Sequence, residues 1–426
     1  MTLTSARHLV FTGCFTDIPE PQPSAAHAQA SHPHANADVQ RGIGVYDSST
    51  QPWRHLQTVV TRNPSWLACH PGGHVLYAVN EVDDHDDANT GALQIYQINT
   101  SRPDEPVLTH LATRALAPGA AGPTHVAIDP TGQFLVVSCY DGGQFNVFEL
   151  DTHGMPGEVS HAHQPVGHGL DPDRQEAPHA HHAACSPKGD YWLTCDLGLD
   201  RLTLMRMEQA ALVKTDAASV PPGAGARHAV FHPVEPWIYV ITEMHATLMQ
   251  LTYDRHLGTL TRPDEEPAES EQSDATEAPL DEPLFNGALF GGNLLSEPVG
   301  SSAVPLLPNG YTGEKSGAGI VMHPTGRWLY ASTRRNDSDH ALADSVSAWA
   351  IHEQTGRLSL IGRYSAGLSF PRAIALDPTG DTLYALNQKG DSIVAMKVCG
   401  RTGSLSTFTV VVSTPQPTCL VWPAGH

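Results

Sequence analysis

The chain of 426 residues is poor in basic charge: 24 Lys and Arg stand against 45 Asp and Glu, a formal charge of -21 with histidine neutral. Such a surface repels phosphate backbones and anionic lipid, which argues against nucleic acid or a membrane as partner. An anionic small molecule would need a local basic site, so isolated arginines in structured segments are the residues to follow. No apolar run approaches the length of a membrane span, and MTLTSARHLVFTGCF at the start lacks a long apolar core with a small-residue cleavage site. A cytoplasmic protein is expected. The seven cysteines are odd in number, lack CxxC spacing and lie mostly in apolar strand-like runs. They read as buried free thiols, with neither a disulfide framework nor a zinc site. GxSxG, HExxH and Walker motifs are missing. No helical period of 10 to 15 residues separates the apolar segments, which disfavours a doubly wound α/β fold.

What the sequence has instead is a repeat. NPSWLACHPGGHVLYAVNE (63–81), GPTHVAIDPTGQFLVVSCY (122–140), HAHHAACSPKGDYWLTCDL (179–197), ARHAVFHPVEPWIYVITE (226–243), GAGIVMHPTGRWLYASTR (317–334) and FPRAIALDPTGDTLYALNQ (370–388) share one form. Each is an apolar strand, a proline-marked turn and a second apolar strand. A third alternating strand follows in every case (GALQIYQI, GQFNVFEL, DRLTLMRM, ATLMQLTY, DSVSAWAI, DSIVAMKV), then a weaker fourth. The marker prolines Pro71, Pro130, Pro187, Pro233, Pro324 and Pro378 are 59, 57, 46, 91 and 54 residues apart. Most of these spacings suit one four-stranded β unit per repeat, and such units pack radially as propeller blades. PTCLVWP (417–423) is a first strand without a second, while HLVFTGCFTD (8–17) and GIGVYDSS (42–49) are later strands without a first. Joining them predicts an all-β, seven-bladed β-propeller of four-stranded antiparallel blades, closed by pairing N- and C-terminal strands. Residues 1–426 then form a single domain with surface insertions at about 18–40 and 262–312, the latter explaining the spacing of 91.

Register places the chemistry. The start of the first strand and the end of the second lie at one edge of a blade. Six residues before each marker proline stand Ser65, Thr124, His181, Arg227, Ala318 and Arg372; ten after stand Glu81, Tyr140, Leu197, Glu243, Arg334 and Gln388. All twelve are expected near one mouth of the ring, and the charged residues among them mark a functional site or an inter-blade ion-pair network. His125 and His228, one position further along, are expected on the opposite face; they and His70, His232 and His323, next to marker prolines, read as structural. The glycine-rich GAGAR lacks a following helix, so a phosphate-cradling loop has weak support. His27, His32 and His34 lie in a polar excursion without a metal-ligand pattern.

GAGARHAVFHP, RQEAPHAHHAACSP, NPSWLACHPGGHVLYAVNE, GPTHVAIDPTGQFLVV and PRAIALDPTGDTLYALNQ closely resemble the seven-bladed lactonase family, which includes propeller-type 6-phosphogluconolactonases and carboxy-cis,cis-muconate cyclases. The similarity runs from about residue 8 to 423, outside the two insertions. The resemblance implies a catalytic set of His181, Arg227, Glu243 and Arg334, with Thr242-Glu243 where members often carry Asn-Glu; the adjacent Arg335 leaves open which guanidinium faces the mouth. It implies hydrolysis of a small anionic sugar-type lactone such as 6-phosphogluconolactone. Glu243 or His181 would act as general base and acid, while Arg227 and Arg334 hold a carboxylate or phosphate and stabilise the oxyanion. Arg372, Glu81 and Gln388 are the candidate substrate-binding residues. No metal and no cofactor are expected, because paired guanidiniums repel a cation. The rival readings are a carboxymuconate-type lactonising cyclase and a non-enzymatic propeller binding module.

Overall fold

A computed structural model describes residues 8–16, 41–85, 89–100, 105–263, 303–335 and 344–424. The 18–40 insertion and the three histidines in it lie outside the described residues. Among those described there is no α-helix, and no helix long and apolar enough to cross a membrane. The strands form seven antiparallel sheets. In the blade that carries Arg227, for instance, the inner strand Ala226–Phe231 is followed by Trp237–Thr242 and Thr247–Asp254. The seventh sheet joins Pro417–Val421 to Leu9–Cys14, with Thr12 opposite Leu420, so the two ends of the chain close the ring. Inner strands of successive blades pack against one another all the way round.

The apolar alternation explains why the blades close up. Seven separate clusters of buried side chains occur, each between two consecutive blades. A blade therefore buries both faces of its inner strands against two neighbours, and none could bury them alone. Polar latches repeat on this scaffold. Tyr77, Tyr239 and Tyr330 donate their buried hydroxyls to the Gly154, Gly356 and Gly403 carbonyls of the next blade at 2.6, 2.6 and 2.9 Å. His70 and His232 reach the next blade's turn, at Gly132 O (3.3 Å) and Gly326 O (2.9 Å), and are structural as expected.

Two sequence expectations need correction. Residues 303–305 of the predicted 262–312 insertion are not an excursion: Ala303–Pro305 pairs with the third strand beside Thr259–Thr261, so the insertion splits the outermost strand of that blade. Leu306 and Leu307 behind it are buried, which is why this end returns to the sheet. All seven cysteines are free, but Cys69, Cys185 and Cys399 are only partly buried.

Candidate active site

Every inner strand carries a β-bulge near its start. Pairing shifts between Pro64 and Trp66, Pro123 and His125, Ala180 and His182, Ala226 and His228, Gly317 and Ile320, and Pro371 and Ala373. Ser65, Thr124, His181, Arg227, Ala318 and Arg372 are thus residues within the bulges, released from the ladder and re-aimed at the mouth. One residue-pair repeats as well: the amides of Glu81, Tyr140, Leu197, Glu243 and Gln388 donate to the carbonyls of Asn63, Gly122, His179, Gly225 and Phe370. Ten residues after the proline is always opposite eight before it, so both sets share one edge.

The bulge also overturns an expectation. His125 and His228 do not face away from the mouth-lining set; with His182 and Trp66 they form an aromatic stack next to His181. Ring centroids lie 4.0 Å apart for His125–His182, 4.6 Å for His182–His228, 4.7 Å for Trp66–His125 and 5.1 Å for His181–His228. Two residues oppose one at the bulge, so both neighbours turn inward where strict alternation would separate them. Burial holds these imidazoles neutral: His125 and His228 are pushed well below the usual histidine range and His182 down to about 3. Only His182 and His228 meet face to face, at an interplanar angle of 28°; the other pairs are tilted. Among the described residues no cluster of three or more His, Cys, Asp or Glu could hold a metal ion.

Above the stack, Glu243 is the hub. Its Oε2 accepts from Arg227 Nη1 at 2.5 Å and Arg334 Nη2 at 3.3 Å, and its Oε1 from Arg174 Nη2 at 2.7 Å. Burial works to raise the Glu243 carboxyl, but Arg227, Arg334, His181 and Arg174 together hold it well below the usual carboxylate range. Arg227 Nη1 also donates to His181 Nε2 at 2.5 Å. A guanidinium has no acceptor, so the His181 proton sits on Nδ1. Burial first, then the Arg227 charge, drives the imidazole well below its usual range. Glu243 is therefore ionised and His181 neutral at pH 7. Arg334 is pushed down by burial and by Arg227 beside it, its guanidinium lying 5.1 Å over the Phe370 ring. The Arg335 side chain pairs with Asp344 instead, its Nε 3.7 Å from Asp344 Oδ2, so Arg334 is the one that reaches Glu243 at the mouth.

Arg372 lies 4.9 Å over the Phe15 ring and its charge is felt at Glu81, Arg227, His181 and Arg334. Burial pushes the Glu81 carboxyl up, against the pull of Arg372. Five buried polar atoms of this mouth have no hydrogen-bond partner among the described residues: Ser65 Oγ, Glu81 Oε2, His181 Nδ1, Arg334 Nη1 and Gln388 Oε1. Buried polar groups are ordinarily satisfied, and a concentration of unsatisfied ones at a channel mouth marks where a polar ligand fits.

Arg174 is the residue that sequence reasoning missed. It stands in the connection between Pro156–His163 and Ala180–Cys185, outside the repeat that served as ruler. Its signal was its place at the head of the family-like stretch RQEAPHAHHAACSP, from which only His181 was taken as a site residue. The loop is fixed by Gln175, fully buried, whose amide donates to Leu197 O and Asp200 Oδ1 at 2.8 Å. Asp200 also accepts from the amides of Gly223 (2.7 Å) and Gly225 (2.6 Å). The GAGAR amides are thus spent on a carboxylate of the protein itself, and this loop cradles no phosphate.

With this geometry in place, comparison with known proteins is decisive for the family. The model of the lactonase family with a seven-bladed β-propeller matches residues 30–281 and 300–422. The chain belongs to the seven-bladed lactonase family. A 6-phosphogluconolactonase of Bacillus subtilis is 27% identical over 359 residues, covering 84% of this chain and 86% of its own. One from Formosa agariphila is 27% identical over 378 residues, with 85% and 90% covered. The periplasmic gluconolactonase of Pseudomonas aeruginosa superposes with a TM-score of 0.70 at 20% identity, covering 98% of this lactonase-family chain and 99% of its own. A Bacteroides fragilis protein superposes at 0.72 with 22% identity and 99% of both chains covered. These structural likenesses show the fold; the sequence match carries the family.

Proposed function

We propose that the protein hydrolyses the ester of a small anionic sugar lactone of the 6-phosphogluconolactone kind. The observation that carries this reading is the mouth itself: Arg174, Arg227 and Arg334 gather round one ionised carboxylate, Glu243, with the Arg372 charge felt at Arg227 beside it, in a protein of formal charge -21. Positive charge there exceeds what Glu243 and Glu81 offset. An incoming anion relieves the mutual repulsion that Arg227 and Arg334 suffer through burial, and guanidiniums grip carboxylate or phosphate with paired bonds. The names of the Bacillus and Formosa relatives support the same substrate class.

Chemistry follows from the protonation states. Glu243, ionised, takes a proton from water as its oxygen attacks the lactone carbonyl carbon. Negative charge developing on the carbonyl oxygen is met by the His181 Nδ1–H and an Arg227 or Arg334 donor. The proton then passes from Glu243 to the ring oxygen as the acyl–oxygen bond breaks, giving an alcohol and a carboxylic acid that ionises. One proton is released per turnover.

That proton is the assay. Rates of acid release from gluconolactone, 6-phosphogluconolactone and muconolactone, each corrected for spontaneous hydrolysis, should be highest for the phosphorylated sugar lactone. His181→Ala and Glu243→Gln should each lower kcat by about a hundredfold or more. Release from none of the three would favour a binding module, and release from muconolactone alone would favour the cyclase reading. Wild-type kcat in both variants would remove these two residues from the mechanism.

A further inference from the structure

Resting on the lactonase reading above, we propose that Arg174 is a substrate-operated mask on the general base: it covers Glu243 until the anionic group of the lactone draws it away. Each carboxylate oxygen has its own guard. Oε2 is held from inside the ring by Arg227 and Arg334, both buried, while Oε1 is held by Arg174 alone among the described residues. With both oxygens bonded to cations, Glu243 is a poor base, and its carboxyl lies well below the usual range.

Arg174 is the guard that can leave. Its side chain is 44% exposed, against 6% for Glu243, and its other partner is the Tyr140 hydroxyl at 3.3 Å, also at the mouth. Its backbone is anchored: Gln175 is clamped by Leu197 O and Asp200, and Asp171 Oδ1 accepts the amides of Asp173 and Arg174 at 3.0 and 3.1 Å. Only the long side chain has to swing. Departure does not strand a buried charge, because Arg227 and Arg334 stay on Oε2. A phosphate or second carboxylate of the substrate offers Arg174 an anion closer to solvent than Glu243. Pairing with it frees one Oε1 lone pair, turned toward the mouth where water and the lactone carbonyl meet. No bond to carbon changes in this step; one ion pair is exchanged for another. A neutral lactone has nothing to offer Arg174, so discrimination for anionic substrates appears in the chemical step as well as in binding.

The test compares wild type, Arg174→Gln and Arg174→Lys on 6-phosphogluconolactone and uncharged gluconolactone, with thermal unfolding recorded for each. In Arg174→Gln, kcat/KM for the phosphorylated lactone should fall about ten- to a hundredfold, the loss of one charge-assisted bond. Its kcat on gluconolactone should rise, because Oε1 is no longer masked. The acid limb of the gluconolactone pH profile should move to higher pH, since Glu243 has lost a cation. Arg174→Lys should restore part of the preference for the phosphorylated lactone. An equal fall on both lactones with an unmoved acid limb would show Arg174 to be merely structural and overturn the proposal. Turnover of neither lactone by wild type would overturn the lactonase reading first, and this inference with it.

Discussion

Asp200 shows how a single side chain outside the mouth governs what happens in it. Its two oxygens accept from Gly223, Gly225 and Gln175, tying the strand start that carries Arg227 to the loop that carries Arg174. Asp200→Ala should leave two amides without their acceptor and cost about 2–4 kcal/mol, measurable by denaturant unfolding, and should lower kcat/KM because both arginines lose their footing. Gly225 beside it has φ +70, and an added Cβ would lie 3.1 Å from Leu197 and Met244; Gly225→Ala should destabilise by about 1–3 kcal/mol. The same scale separates what the sequence showed from what it hid. Arg227 and Glu243 were legible because each sits at a fixed offset from a proline. Arg174 was not, since no repeat reaches its loop, and Asp200 was not, since a carboxylate facing backbone amides looks in sequence like any turn residue.

Among elements, the bulged inner strand accounts for both the success and the failure of the register argument. Position counting predicts which edge a residue occupies, because the turn fixes that; it does not predict facing once a bulge breaks the alternation of period two. His181 and Arg227 were therefore placed at the right end, whereas His125 and His228 were assigned to the wrong side. Between elements, the tyrosine latches are the same device used three times. Tyr77→Phe, Tyr239→Phe and Tyr330→Phe should each cost about 1–2 kcal/mol, leaving a buried glycine carbonyl unpaired. Tyr239 and Tyr330 lie in adjacent blades, with Gly356 in the blade that carries Tyr330, so Tyr77→Phe should add independently in thermal or denaturant unfolding while the other two couple.

For the molecule as a whole, the neutral histidine stack sets a limit on acid stability. Burial lowers His125, His182 and His228 in the folded ring, His182 to about 3, while the unfolded chain binds their protons near the ordinary value of about 6.5. Above that pH both states carry neutral rings and nothing is lost. Below it the unfolded chain takes up protons that the ring refuses, so stability falls, by about 4 kcal/mol between pH 7.5 and 5.5 for three such groups. Glu243 acts in the same direction at lower pH: its depressed carboxyl stabilises the fold above the ordinary glutamate range and that contribution fades as pH falls through it. Unfolding measured from pH 7.5 to 5.5 should show the slope, and His182→Asn should remove about 1.4 kcal/mol of the change, one group's share; an unchanged slope would mean that other groups set it. Closure belongs to this scale too. Removing residues 417–424 takes away the inner strand that pairs with Leu9–Cys14, and the opened ring should lose cooperative unfolding.

The proline-marked repeat determined by itself the all-β class, the number of blades, the terminal closure and the edge at which Arg227, Glu243, His181, Arg334 and Arg372 gather, because strand alternation and turn position are local properties of the chain. Only the tertiary structure decided which of these atoms meet. That Glu243 is shared by three guanidiniums, that the His181 proton sits on Nδ1, that Arg334 and not Arg335 faces inward, and that the fourth arginine comes from a loop outside the repeat all depend on contacts between blades. Such contacts are set by ring closure and by the bulges, and no offset along one strand encodes them.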